Sequence, residues 1–214
     1  ALDAVREYEK PAAVVVKHTN PCGVAAGAAN ETLAEIYKRA READAVSAFG
    51  GIVALNREVD EATAKILAET FLECVVAPSY AAGALEVLRA KKNLRLLATG
   101  SWLPANHDAL TLKRIGGGVV VQTRDNTGPG EVMGGKVVTK RAPTPQEIEA
   151  LEFAWRVCKH VKSNAIVLAR GDGGLRTVGV GAGQMSRVIS VQIACEKAGD
   201  LTRGSVLASD AFFP

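Results

Sequence analysis

One stretch decides the fold class. It reads TPQEIEALEFAWRVCKHVKSNAIVLA from residue 144 to residue 169. Its start carries Thr at the N-cap, Pro at the first helical position and Glu three residues after the cap, which together form a capping box. Apolar residues then recur at helical spacing, at Ile148, Leu151, Trp155 and Cys158. The apolar run at 165–169 predicts a buried strand. A helix followed by a buried strand is typical of an α/β layered fold.

The same alternation of short apolar runs and helical patterns continues in both directions. The predicted strands are 12–16, 51–55, 74–77, 94–98, 165–169, 177–180 and 205–208. The predicted helices are 32–42, 61–70, 81–90, the one beginning at Thr144, and 186–198. Asn30 and Asp60 are the expected N-caps of the first two.

The pattern weakens between residues 100 and 141. Three adjacent glycines at 116–118 and the turn-rich run at 125–130 predict a connector with a short hairpin or two. We therefore predict a first subdomain at 1–115, a connector at 116–143 and a second subdomain at 144–214. No internal repeat is obvious in the letters, although both halves contain strand–helix–strand units.

Composition excludes several function classes. The 214 residues are 48% hydrophobic and 23% charged, with a net charge of +3, which is too balanced to predict nucleic-acid binding. No apolar run reaches the roughly 18 residues of a membrane span. Four widely spaced cysteines, without a C-x-x-C pair, predict buried reduced thiols. We expect a cytoplasmic protein without a nucleic-acid or membrane partner.

The first candidate site is KHTNPCG at residues 17–23, directly after a predicted buried strand. Ligands of α/β sheets gather beyond the carboxyl ends of strands. Pro21 and Gly23 predict a turn there, so that Lys17 and His18 can face one site. A neutral imidazole can then act as a base near pH 7. The alternative is a surface Lys beside a hydrogen-bonded loop His.

The second candidate is Lys162-Ser163-Asn164, at the junction between the strongest helix and a buried strand. An amide at such a strand start needs hydrogen-bond partners. Asn164 can donate to a developing oxyanion. The alternative is an Asn that caps the helix or forms a turn.

The third candidate is GVGAGQMSR at residues 179–187, a predicted Gly-rich loop before a helix. Backbone N–H groups and the helix dipole favour an anion there, and Arg187 can add two parallel donors to a phosphate. The run is not the dinucleotide fingerprint, because Ser186 stands where the third Gly belongs. The alternative is that Arg187 pairs with Glu73 or another acid and only braces the fold.

Two weaker candidates are the glycine pair in SAFGG (47–51) and the two aromatics in SDAFFP (209–214). Gly50 and Gly51 allow close approach to a ligand, although packing explains such pairs more often. Phe212 and Phe213 can form the floor of a pocket for a flat base, or belong to the core.

The residues argue against a metal or a serine nucleophile. The three histidines, His18, His107 and His160, have no partner at metal-ligand spacing. PCGV at 21–24 begins like a zinc deaminase signature, but Ala25 stands where the second Cys is required. No G-x-S-x-G elbow is present.

In their order and wording, these segments resemble the formyltransferase domain of the bifunctional purine biosynthesis enzyme. That enzyme couples AICAR (aminoimidazole carboxamide ribonucleotide) formyltransferase to IMP cyclohydrolase. The matching segments are KHTNPCG (17–23), SAFGGIVALNR (47–57), ECVVAP (73–78), VKSNAIVLA (161–169), GAGQMSR (181–187) and ASDAFFP (208–214).

The resemblance implies two cytidine-deaminase-like α/β/α subdomains without zinc, in a homodimer with substrate sites near the interface. It implies formyl transfer from 10-formyltetrahydrofolate to the 5-amino group of AICAR, without a catalytic metal. His18 would be the base, with Lys17 and Asn164 stabilising the oxyanion. The implied substrate contacts are Gly50, Glu73, Arg187 and Phe212.

Several family segments lie outside the chain. They are the cyclohydrolase domain and an R-Y-G-x-N-P-H-Q segment before it, and a stretch with a folate-side Asp and a C-terminal Arg after it. We therefore expect an incomplete site, with the activity belonging to the parent enzyme. Two alternatives stay open: a zinc-type deaminase with the same fold, and a non-catalytic nucleotide-binding fragment of the parent enzyme.

Overall fold

The computed structural model of the chain describes residues 1–27, 30–101, 110–126 and 130–213. Its strands are β1 (Ala12–Lys17), β2 (Asn20–Ala26), β3 (Gly51–Leu55), β4 (Leu72–Ala77), β5 (Arg95–Ala98), β6 (Leu110–Ile115), β7 (Gly118–Thr123), β8 (Ile166–Arg170), β9 (Leu175–Gly181) and β10 (Val206–Ser209). Its helices are α1 (Leu2–Val5), α2 (Leu33–Glu42), α3 (Ala45–Ala48), α4 (Glu61–Ala68), α5 (Ala82–Arg89), α6 (Glu131–Gly134), α7 (Pro145–Cys158) and α8 (Arg187–Ala198), followed by a 3₁₀ turn, Gly199–Thr202.

Eight strands form one mixed sheet in the order β10-β8-β9-β2-β1-β3-β4-β5. β3, β4 and β5 are parallel to one another, and every other neighbouring pair is antiparallel. Strands on both sides of the predicted connector therefore share a sheet. The subdomain division stays a prediction, and its first boundary at residue 115 falls where the hairpin of β6 and β7 turns.

Helices cover both faces of the sheet. Val14 and Val16 of β1 pack with Phe153 and Val157 of α7, on the face that α1 also covers. Ala13 and Val15 face the opposite way, toward α2, α4 and α5. α8 covers β8 and β9 on that second face. These layers confirm the predicted α/β class, and alternate side chains of each strand supply the two apolar faces that it needs.

Helix starts confirm most of the predicted caps. Thr144 and Glu147 form the predicted capping box of α7, and Asp60 accepts from Thr63 N at 2.7 Å at the start of α4. The Asn30 cap was wrong. Thr32 is the N-cap of α2 and forms a second capping box with Glu35, because Thr32 directly precedes the first helical residue.

β2 was not predicted from the sequence, because Pro21 and Gly23 indicate a turn at these positions. The structure accommodates both within a strand. Pro21 lies near the start of β2, where the pairing with β1 shifts register between Val15 and Val16, and such positions tolerate proline. Gly23 is needed because α2 lies directly on the strand: a Cβ there would lie 1.9 Å from Ala40 O.

The structure contains a repeated unit, a hairpin followed by a helix. β1, β2 and α2 form the first unit, and β8, β9 and α8 the second. A Cβ on Gly179 of β9 would lie 2.0 Å from Ala194 O, as a Cβ on Gly23 meets Ala40 O in the first unit. Because β2 and β9 are adjacent and antiparallel, the second unit is turned by half a rotation within the sheet. Equivalent ends of the units therefore lie at opposite edges.

β6 and β7 confirm a hairpin in the segment where the pattern was weak, and both strands are exposed along their whole length. Residues 127–129 of the turn-rich run at 125–130, His107 and Pro214 lie outside the described residues. Within the described ranges, no helix is long and apolar enough to cross a membrane.

Candidate functional site

The seven residues predicted for the site lie at or next to one edge of the sheet. β1, β9 and β10 end there, while β2, β3, β4 and β8 begin there. We call this the Lys17 edge. The Lys17 edge contains the carboxyl end of β1 but the amino ends of β3 and β4, because β1 runs antiparallel to β3.

A tight turn at the Lys17 edge joins β1 to β2. Its central residues, His18 and Thr19, have φ values of 47° and 68°. Two-residue hairpins favour this left-handed backbone, usually with Asn and Gly. It is uncommon for His and a genuine outlier for a β-branched Thr. Such strain at an exposed turn makes it a candidate for function.

Lys17 is half-buried, and its ammonium is held by two backbone carbonyls. Nζ donates to Phe49 O at 2.9 Å and to Gly50 O at 3.1 Å. Gly50 has φ 65°, and a Cβ on it would lie 3.0 Å from Nζ. The absence of a side chain at Gly50 therefore leaves room for the Lys17 ammonium. The third N–H of Nζ meets no acceptor within the described part of the chain.

One hydrogen bond joins the turn of the first unit to the second unit. Asn20 Oδ1 accepts from Lys162 N at 2.9 Å, although 142 residues separate them. The exposed His18 lies two residues from Asn20, and Asn164 lies two residues from Lys162. Asn20 had no predicted role, so this link was not expected from the sequence. The bond supports convergence of Lys17, His18 and Asn164, which stays a prediction.

Asn164 is held firmly by its neighbours. Its Oδ1 accepts from Arg187 Nη2 at 2.6 Å, and its Nδ2 donates to Met185 O at 2.9 Å. Its backbone oxygen accepts from Ser190 Oγ at 2.8 Å. It is not the C-cap of α7, which is Lys159. The second hydrogen of Nδ2 meets no acceptor among the residues that the structure describes.

Arg187 is buried, and it pairs with an acid that sequence analysis did not single out. Nη1 donates to Asp210 Oδ1 at 2.5 Å and to Ser209 Oγ at 2.9 Å. The alternative partner Glu73 instead pairs with Arg95 at 2.8 Å, and both are exposed. A phosphate contact for Arg187 stays a prediction. The structure contains contacts of Arg187 with Asp210, Ser209 and Asn164.

Asp210 is held in its charged form. Burial raises the pKa of its carboxyl, but hydrogen bonds from Ser163, Ala165 N and Arg187 outweigh burial and hold the pKa below its ordinary value. Burial, together with the charge of Asp210, raises the pKa of the nearby Cys158 to about 12. The Lys17 edge therefore contains a buried cation, an ionised carboxylate and a neutral thiol.

The predicted Gly-rich loop was partly wrong. Gly179 and Gly181 belong to β9, where they let α8 pack directly onto the strand. A Cβ on Gly181 would lie 1.9 Å from Ser190 O. Gly183, with φ 70°, is the glycine that turns the chain before α8. The first two glycines serve packing, so a cradle of N–H groups along 179–181 is excluded.

Exposed phenylalanines occur in two places near the Lys17 edge. Phe212 is 83% exposed and lies just beyond β10, so it does not belong to the core. Sequence analysis missed a second group, Phe49 and Phe71, whose exposed rings lie 5.5 Å apart between centroids. Gly50 N donates to Phe71 O at 2.9 Å. The two phenylalanines therefore lie beside the carbonyls that bind the Lys17 ammonium. The only signal for this pair was Phe49 in the SAFGG segment.

No group of three or more His, Cys, Asp or Glu side chains could hold a metal ion in the part of the chain that the structure describes. All four cysteines are free, and Cys22, Cys74 and Cys158 are buried.

The structure thus defines an α/β protein whose candidate catalytic residues lie at one edge of the sheet, next to two related hairpin–helix units. Residues 1–197 match the family model described as AICARFT/IMPCHase bienzyme, and the chain belongs to this family.

Similar curated proteins are each named bifunctional purine biosynthesis protein PurH. The Sorangium cellulosum protein is 72% identical over 214 residues, the Halalkalibacterium halodurans protein 57% over 217, and the Myxococcus xanthus protein 54% over 219. Each alignment covers 100% of this chain but only 40% or 41% of the relative. The chain therefore spans about 40% of the length of these curated relatives.

Proposed function

We propose that this chain carries the formyltransferase site of the bienzyme. The reaction moves the formyl group of 10-formyltetrahydrofolate onto the 5-amino group of AICAR, giving FAICAR in purine biosynthesis. The observation that carries the proposal is the link between the Lys17–Asn20 turn and the 162–164 loop, in a chain of this family.

The 5-amino group of AICAR needs a base to attack the formyl carbon. The lone pair of an aromatic amine is delocalised into its ring, so the amine is a poor nucleophile. His18 is exposed in a tight turn, and it removes the amine proton as the nitrogen attacks the formyl carbon. The bond from the formyl carbon to N10 of the folate then breaks, N10 takes up the proton from His18, and tetrahydrofolate leaves. General base catalysis of this kind contributes about 10²–10⁴-fold.

The formyl oxygen becomes an oxyanion in the tetrahedral intermediate. Lys17 has one N–H left after its bonds to Phe49 O and Gly50 O, and Asn164 has one left after its bond to Met185 O. Both groups are fixed by these bonds before the reaction begins, so they need little reorganisation. One such donor is worth about 10²–10³-fold.

The repeated hairpin–helix unit supports two related deaminase-like subdomains without zinc. The proposed substrate contacts are Gly50, Glu73, Arg187 and Phe212, and the proposed partners are AICAR, the reduced folate and a second copy of the chain. Glu73 lies near the start of β4 and pairs with Arg95 on an exposed surface, so water and ligands can reach it. The proposed location is the cytoplasm.

A single-turnover assay on the complete protein tests the proposal. FAICAR formation is followed with saturating AICAR and formyl folate for the wild type, Lys17→Ala and Asn164→Ala. We expect each variant to lose about 10²–10³-fold in the transfer rate with AICAR binding retained. Full transfer in both variants would contradict the assigned roles. AICAR binding without transfer by the wild type would favour a non-catalytic nucleotide-binding protein.

A further inference from the structure

Asp210 collects hydrogen bonds from both sides of Asn164. It follows directly after β10, and its Oδ1 accepts from Ala165 N at 2.9 Å. It also accepts from the Ser163 side chain and from Arg187 Nη1 at 2.5 Å. A carboxylate is an acceptor only, so it can bind all these donors at once. The residues before and after Asn164 are thus tied to one carboxylate.

Arg187 carries the contact from Asp210 to the Asn164 side chain. Its Nη1 binds Asp210, and its Nη2 binds Asn164 Oδ1 at 2.6 Å. Guanidinium groups can only donate, so the oxygen of the Asn164 amide must face Arg187. The nitrogen must then point the other way, toward Met185 O and the free side of the amide. Arg187 therefore determines the orientation of the Asn164 amide, with its oxygen toward Arg187 and its nitrogen on the opposite side.

The position of Arg187 depends in turn on Asp210. The Arg187 side chain is 8% exposed, and burying an unpaired guanidinium is costly. Asp210 supplies the only carboxylate that pairs with Arg187 in the described part of the chain. Without that charge, we expect the guanidinium to move toward water and release the Asn164 oxygen.

We propose that Asp210 is a positioning residue for formyl transfer. It holds Arg187 in place, and Arg187 holds the Asn164 amide with its nitrogen available to the formyl oxyanion. The inference deepens the proposed function and rests on it. Its effect on the transfer step runs through Arg187 and Asn164, and its effect on AICAR binding runs through Arg187 alone.

The test is a double-mutant cycle in the complete protein, with Asp210→Asn, Asn164→Ala and the double variant. Asp210→Asn keeps the size of the side chain and removes its charge. We expect its kcat to fall about 10-fold or more, because a misplaced donor loses part of its 10²–10³-fold contribution, while the KM for AICAR changes less. In the Asn164→Ala background, the same substitution should not lower kcat further.

The matched control is Asp172→Asn. Asp172 also binds arginines, Arg170 and Arg176, but it lies in the β8–β9 turn at the opposite edge of the sheet. We expect unchanged kcat for this variant. If Asp210→Asn does not fold, Asp210→Glu keeps the charge and displaces it, and the same loss and the same non-additivity are expected.

The outcomes separate the two proposals. If Asn164→Ala leaves kcat unchanged, the proposed role of Asn164 in formyl transfer is wrong. If Asn164→Ala lowers kcat but the Asp210 substitution has no effect, or its loss adds to that of Asn164→Ala, the positioning role is wrong and the proposed function stands.

Discussion

In the first hairpin–helix unit Gly23 of β2 lies against Ala40, the eighth residue of α2. In the second, Gly179 of β9 lies against Ala194, the eighth residue of α8. The units differ two residues further along the strand, where the second has Gly181 and the first has Ala25. This additional glycine lets the first turn of α8 lie on β9. The two units therefore share one close strand–helix contact, and the second unit adds another at the start of α8.

The polar contacts of the two helix starts show the consequence. The start of α2 is closed by its own capping box, from Thr32 and Glu35. Ser186, at the start of α8, makes no side-chain cap bond, while Arg187 and Ser190 bind Asn164 instead. The side chains at the start of α2 thus bind within their own helix start, whereas those at the start of α8 bind Asn164 in the loop before β8.

The half rotation between the units brings unlike ends together. At the Lys17 edge, the tight turn of the first unit meets the helix start of the second. The opposite edge has the reverse combination: the Gly171–Gly174 turn of the second unit lies near Arg39 of α2, which pairs with Glu31. The chemistry of the two edges is different because each unit contributes a different end.

The largest expected effect concerns the turn of the first unit. His18→Ala in the complete protein should lower kcat by about 10²–10⁴-fold and leave AICAR binding nearly intact, because a base acts in the transition state. The matched change in the turn of the second unit, Asp172→Ala, should leave kcat unchanged. Steady-state kinetics with calorimetric AICAR binding measures both. Weakened binding with unchanged kcat would make His18 a ligand contact.

The shared packing predicts equal losses of stability from Gly23→Ala and Gly179→Ala. Each added Cβ would meet a helix carbonyl at 1.9 or 2.0 Å, and overpacking typically costs about 1–3 kcal/mol. Urea unfolding gives the free energies. Gly171→Ala is the control, because its Cβ would have an ordinary contact at 3.7 Å. Tolerance of alanine at one of the two positions would show that the units do not pack alike.

We expect Arg187 of the second unit to contribute to nucleotide binding and Arg39 of the first unit not to contribute. If Arg187 contacts the 5′-phosphate, Arg187→Lys should weaken AICAR binding about 10-fold, since lysine cannot form two parallel hydrogen bonds. Binding of the dephosphorylated nucleoside should not change. Arg39→Lys, in the first unit, should affect neither ligand. Equal weakening of nucleotide and nucleoside would leave Arg187 as a brace, and loss of nucleotide binding in EDTA would indicate a metal.

The smallest expected effect concerns backbone strain in the tight turn. Thr19→Gly should stabilise the protein by about 1 kcal/mol or less, because relief of left-handed strain exceeds the entropy cost of glycine only slightly. Thermal unfolding, compared with Thr111→Gly in the exposed strand β6, measures this effect. Destabilisation of the turn variant as large as that of the strand variant would show that Thr19 makes a contact that outweighs its strain.

Local signals predicted most of the fold. Alternating apolar runs and capping residues placed β1, β3, β4 and α7 correctly, because these elements depend on their own residues. β2 was missed because its Pro21 and Gly23 are explained by a register shift and by contact with α2, which lie outside the strand itself. The sequence did not reveal the repeat, because what the two units share is the contact of one glycine with one helix alanine, Gly23 with Ala40 and Gly179 with Ala194.

The candidate site was predicted less completely than the fold. Lys17, His18 and Asn164 were proposed from their motifs, but the hydrogen bond between Asn20 and Lys162 joins residues far apart in sequence. Asp210 had no predicted role, because it comes close to the residues beside Asn164 only when β10 pairs with β8. Long-range pairing of this kind leaves no periodic signal in the sequence.

A structure of the complete protein with AICAR bound tests most directly the claim that unlike ends of the two units form one site. We expect the 5-amino nitrogen within about 3 Å of the His18 ring, or one water away, with the Asn164 amide on the same side. A nucleotide bound at the opposite edge, in the cavity of about 330 Å³ lined by Lys10, Ala26 and Leu175 among others, would contradict the account.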